Sequence, residues 1–122
     1  MILVDTSIWI DHFRSADEAL IAALRSDQVL CHPLVIEELA AGNLARRAEV
    51  LAELERLAAG PRLSHREAMS LIEGRHLAGS GLSVVDIHLL GTALMAGARL
   101  WTRDRKLAAA ALEHGVLVGG LA

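Results

Sequence analysis

Four acidic side chains stand out by where they fall in a chain of 122 residues. Asp5 closes the apolar run Ile2-Leu3-Val4, Glu38 follows Glu37 in a helical stretch, Asp86 comes three residues after Ser83, and Asp104 comes two after Thr102. Taken singly, each has an ordinary structural explanation. Asp5 and Asp104 suit helix N-caps, Asp86 suits a capping box with Ser83, and Glu37-Glu38 suits a solvated pair. Taken together they permit chemistry, because two of them end strands and the other two fall in segments that border the same sheet edge. Two unit charges about 4 Å apart repel by about 4 kcal/mol at an effective dielectric of about 20. A helix N-terminus returns only ~0.3–1 kcal/mol. A divalent cation is the sufficient partner, and an all-oxygen donor set that retains waters suits Mg2+ or Mn2+ rather than zinc.

These carboxylates can meet only if the intervening elements build a sheet whose strands run the same way, and the apolar spacing predicts one. Strands are expected at 2–4, 28–31, 99–102 and 116–118. Helices are expected from 8 through 13 and from Asp17-Glu18 through Leu24. The next helix has Pro33 at its first position and stops at Gly42-Asn43. Leu44, Ala48, Leu51, Leu54 and Leu57 predict one amphipathic helix over 44–59, ended by Gly60-Pro61. Ser64 and Glu67 form a capping box for a helix toward His76. Gly79-Ser80-Gly81 reads as a hinge, followed by a helix from Ser83 to Gly97 and another from Asp104 to His114. Strands alternating with helices imply an α/β fold with a short parallel sheet covered on both faces, and ligands then gather beyond the carboxyl ends of the strands.

Composition narrows the classes further. With 53% hydrophobic residues and one cysteine, the chain suits a single packed domain that needs neither disulfides nor a thiolate metal site. The formal charge of −3 excludes a basic nucleic-acid coat, and 2% aromatic residues exclude a base-stacking platform. Any contact with nucleic acid must therefore be local. The basic residues Arg99, Arg103, Arg105 and Lys106 surround Asp104 and suit phosphates. Asp86 and His88 interrupt the apolar stretch 81–101, which argues against a membrane span, and the start of the chain lacks the basic segment of a signal peptide. A cytoplasmic protein is expected. Trp9, Trp101 and Cys31 read as core.

The runs Val4-Asp5-Thr6-Ser7, Glu38-Leu39-Ala40-Ala41-Gly42, Leu82-Ser83-Val84-Val85-Asp86 and Leu100-Trp101-Thr102-Arg103-Asp104 resemble, in that order, the PIN-domain ribonucleases. Among them they are most similar to the VapC-type toxins of VapBC toxin–antitoxin pairs. The resemblance spans nearly the whole chain and implies a three-layer PIN-like fold with residues 1–122 as one domain. It implies that Asp5, Glu38, Asp86 and Asp104 hold Mg2+ or Mn2+ at an RNA-cutting site, with Thr6 and Thr102 supporting the acids or a bound water. The Glu-Leu pairing selects Glu38 over its neighbour Glu37. It implies hydrolysis leaving 5′-phosphate and 3′-hydroxyl ends, a homodimer, and a cognate antitoxin that silences the site with an arginine. The helices between Leu34 and Leu57 offer a surface for either association.

Two other classes fit these residues less well. An aspartyl-phosphate domain built on Asp5 lacks its usual partners, because Ser7 stands where a second Asp belongs and the only lysine, Lys106, falls inside a helix. A non-catalytic metal- or partner-binding module would share the scaffold but has no need of all four acids.

Overall fold

The computed structural model describes residues 1–119. The sheet has three parallel strands, β1 (Ile2–Val4), β2 (Val29–Leu30) and β3 (Arg99–Trp101), in the order β2-β1-β3. Leu3 pairs with Leu30 on one side and Leu100 on the other, and Val4 pairs with Trp101. Central position explains composition: a strand covered on both faces cannot alternate, and Leu3 and Val4 are both fully buried.

Among the described residues seven helices flank the sheet: α1 (Thr6–Arg14), α2 (Glu18–Arg25), α3 (Pro33–Ala41), α4 (Arg47–Glu55), α5 (His65–Gly74), α6 (Val84–Ala96) and α7 (Arg105–Glu113). One group packs through α1 on α3 and α3 on α4, and another through α5 on α6 and α6 on α7, with α6 and α7 against β3. Side chains from both groups join the strands in one core that includes Ile8, Val35, Leu39, Leu89, Leu90 and Leu107. The start signals are used as chemistry dictates. Asp17 accepts from the Leu20 amide, Ser64 and Glu67 close a capping box, and Pro33 opens α3. Gly60 stands at φ +75°, where an added Cβ would meet Leu30 and Thr92 at 3.3 Å, so the turn after Ala58 can lie directly on the core.

Four expectations need correction. The helix expected over 44–59 forms only over Arg47–Glu55, because Arg46 adopts a left-handed conformation at φ 54° that no helix can continue through. Leu44 and Leu57 still pack on the core from outside the helix, so their apolar spacing reported burial rather than helix. The expected strand over 116–118 reduces to one bridge between Leu117 and Leu100. Thr102 lies just past β3 rather than in it, and β2 spans two residues. The expectation of one domain over 1–122 includes three last residues that lie outside those described.

Candidate metal centre

Asp5 is the residue where β1 stops. Its backbone N–H donates to the Trp101 carbonyl at 2.9 Å, the last bond between β1 and β3. It occupies the N-cap position of α1, yet its side chain makes no capping bond. Instead Oδ2 accepts from Ser7 Oγ at 2.8 Å and from Thr102 Oγ1 at 2.7 Å. Each hydroxyl also accepts a backbone N–H from the segment that leads into α7, Ser7 from Arg103 at 3.1 Å and Thr102 from Asp104 at 3.0 Å. The carboxylate, only 7% exposed, is thus clamped by two O–H groups that are themselves oriented by the backbone beside Asp104.

The other acids are held in a comparable way, by one oxygen each. Thr6 Oγ1 donates to Glu38 Oε1 at 2.6 Å and ties α3 to the first turn of α1. Asp86 Oδ2 accepts from the Ser83 amide at 3.0 Å in the capping box of α6. Asp104 Oδ1 accepts from the Leu107 amide at 2.9 Å as the cap of α7. Among the described residues, Asp5 Oδ1, Glu38 Oε2, Asp86 Oδ1 and Asp104 Oδ2 carry no hydrogen bond. The capping roles of Asp86 and Asp104 therefore coexist with a second oxygen left for a ligand.

All four carboxylates line one open cleft of about 580 Å³ together with Thr6, Ser7, Arg105 and Lys106. Glu37 does not line it, so the α3 register turns Glu38 inward. Of the four basic residues around Asp104, two point elsewhere. Arg103 reaches Asp11 and Asp17, and Arg99 donates to the Gly115 carbonyl. None of the four cleft carboxylates forms an ion pair among the described residues. Likewise, among the described residues no three His, Cys, Asp or Glu side chains stand close enough to enclose one ion. Such spacing suits a hydrated divalent ion that keeps several waters and takes one or two carboxylates directly.

Sequence reasoning passed over two residues. Ser7 was masked by Thr6 beside it. His32, the N-cap of α3, is 1% exposed and accepts the Leu34 amide on Nδ1 at 3.0 Å, which puts its proton on a buried Nε2 without a partner. Burial first, and then the neighbouring His88 and Arg62, push its pKa down to about 4. Protonation would abolish the cap that starts the helix carrying Glu38. The unfolded chain takes up this proton near pH 6.5 and the folded one only near pH 4, so stability falls as pH drops through that window. The loss reaches on the order of 3 kcal/mol at its end. In urea titrations at pH 7 and pH 4.5, wild type should lose stability with acid more steeply than His32→Asn, whose amide oxygen can still cap. The Cys31 thiol, raised to about 12 by burial and then by Glu55, stays protonated and inert.

Among the described residues no helix is long and apolar enough to cross a membrane. The PIN domain family matches residues 2–113. Two curated proteins of Mycobacterium tuberculosis, strains CDC 1551 / Oshkosh and ATCC 25618 / H37Rv, both named Ribonuclease VapC32, are each 53% identical to this chain over 117 residues. The alignment covers 95% of this chain and 94% of each relative.

Proposed function

Because this chain belongs to the PIN-domain family, we propose that it is a metal-dependent endoribonuclease and acts as the toxin of a toxin–antitoxin pair. The observation that carries this reading is the cleft in which carboxylates from four separate segments converge without a protein cation bonded to any of them. The 53% identity to proteins named as ribonucleases supports RNA as the substrate.

Asp5, Asp86 and Asp104 would hold Mg2+ or Mn2+ through their unbonded oxygens, one or two of them directly and the rest through bound waters, with Glu38 as a further ligand or acting through water. When bound, such an ion supplies positive charge opposite the phosphoryl oxygens and lowers the pKa of water. The chain's own groups do the rest. Ser7 and Thr102 fix Asp5 by one oxygen, so its free oxygen keeps one orientation. Thr6 fixes Glu38 by Oε1 and leaves Oε2 able to accept a proton from a water attacking phosphorus in line. The phosphodiester then breaks to 5′-phosphate and 3′-hydroxyl ends.

Purified protein incubated with total RNA and Mg2+ should cut it, excess EDTA should stop cutting, and mapped ends should carry 5′-phosphate and 3′-hydroxyl groups. Cleavage that persists in EDTA rejects the reading. We assign residues 1–122 to one cytoplasmic domain that dimerises and takes a cognate antitoxin. The surface expected from Leu34 to Leu57 is partly core, since Val35, Ile36, Leu39 and Leu54 are buried. What remains open is a groove of about 740 Å³ lined by residues including Ile10, Phe13, Leu44 and Val50, which shares Glu38 with the acid cleft. An apolar segment of the antitoxin seated there would lie next to the metal ligands. Co-purification with a small protein, lost on changing Phe13 to Asp, is the expected outcome.

A further inference from the structure

Arg105 and Lys106, the two cations in the acid cleft, are not explained by the helix that carries them. They are the first two residues of α7, where the helix dipole disfavours positive charge; the one acid beside them, the N-cap Asp104, is bonded to the Leu107 amide and forms no ion pair with either. Both line the cleft with four carboxylates, yet neither forms an ion pair among the described residues. Lys106 is also held in a particular place. A Cβ added to Gly81 would fall 2.9 Å from Lys106 Nζ, 3.2 Å from Cδ and 3.3 Å from Cε, so the lysine stem lies across bare backbone at a residue with φ +84°. The hinge glycine thus makes room for a flexible side chain that would otherwise be displaced. The ammonium lines the same cleft as the carboxylates, with its three donors unspent among the described residues.

We propose that Lys106, laid over Gly81, is a phosphate-binding group of the cleft and grips the RNA backbone at a phosphate next to the one that is cut. The proposal rests on the nuclease reading. An unpaired lysine at the rim of a metal-binding acid cluster is suited to this task, because it offers positive charge to the strand without competing for the ligand oxygens. The opposing explanation is that Lys106 only offsets the charge of the acids.

Binding of a short single-stranded RNA in excess EDTA, followed over about 50 to 200 mM salt, separates the two. Lys106→Met should weaken binding by about 3- to 10-fold and make the plot of log Kd against log salt shallower by about 0.7, the value for one phosphate contact on a single strand. Lys106→Arg, which keeps the charge, should restore the wild-type slope. Lys106 is exposed, so neither change should alter the circular dichroism spectrum. A Lys106→Met variant with wild-type Kd and slope, whose metal-free melting temperature falls, overturns the assignment in favour of charge offset. Wild-type protein that neither binds nor cuts RNA overturns the nuclease reading and this assignment together. Wild-type protein that does both while Lys106→Met binds as wild type removes only the lysine.

Discussion

Asp5→Asn should reduce RNA cleavage by about 10³-fold or more and leave the fold intact, because the side chain's two tasks separate at its two oxygens. Asn can keep the oxygen that accepts from Ser7 and Thr102, so the clamp across β1, α1 and β3 survives. What it loses is the charge and the second anionic oxygen, replaced by an amide that repels a cation. A cation that is no longer held cannot offset the charge developing on the phosphoryl oxygens, and losing such an offset typically costs several kcal/mol of transition-state stabilisation. Stability separates this outcome from simple damage. Without metal, the variant should melt at or above the wild-type temperature, since one of four neighbouring negative charges is gone. Adding Mg2+ should raise the wild-type melting temperature and leave that of the variant nearly unchanged, as ligand linkage requires. Calorimetric scans of both proteins with and without Mg2+, alongside the cleavage assay, provide the check.

The second large effect is expected at a side chain that the proposed mechanism never brings to substrate. Thr102→Val is nearly isosteric but removes both bonds made by Oγ1, the one donated to Asp5 and the one accepted from the Asp104 amide. Losing an outer partner of a metal ligand commonly costs about 10–100-fold in affinity or activity. The amide of Asp104 loses its acceptor as well, and because this bond is exposed the destabilisation is no more than about 0.5–1.5 kcal/mol. Because Ser7 also supports Asp5, Ser7→Ala combined with Thr102→Val should lose more activity than the two single losses multiplied together. The titration of activity against Mg2+ should shift to higher concentration in each single variant. A merely structural hydroxyl would lower the melting temperature without that shift.

The acids were legible because strand ends are. Three apolar residues followed by Asp5, and Arg99-Leu100-Trp101 followed three positions later by Asp104, place charge at the edge of a sheet that the strand and helix alternation already implied. Asp86 and Asp104 looked like capping residues and are, and only their shared cleft supports the second role proposed for their other oxygens. Thr6 and Ser7 could not be separated by reading along the chain. Successive residues of a helix point about 100° apart, so one hydroxyl reaches Glu38 while the next reaches Asp5. Arg103 looked as suited to phosphate as Lys106, but its ion pairs are with Asp11 and Asp17, residues 92 and 86 positions away, and no local pattern reports such a pair. The start of α4 was equally hidden, because one left-handed residue leaves no trace in the spacing of leucines.

The central strand pairs with β3 across almost the full length of the chain, joining Ile2 to Arg99 and Val4 to Trp101. Contacts of such high sequence separation form late, and synthesis delivers the N-terminal half first. Asp5 is made 97 positions before the Thr102 that holds it. A nascent chain that stops short of Thr102 therefore carries only fragments of the acid cluster. Any cutting centre built on these acids can exist beside its own message only once the ribosome has passed Asp104.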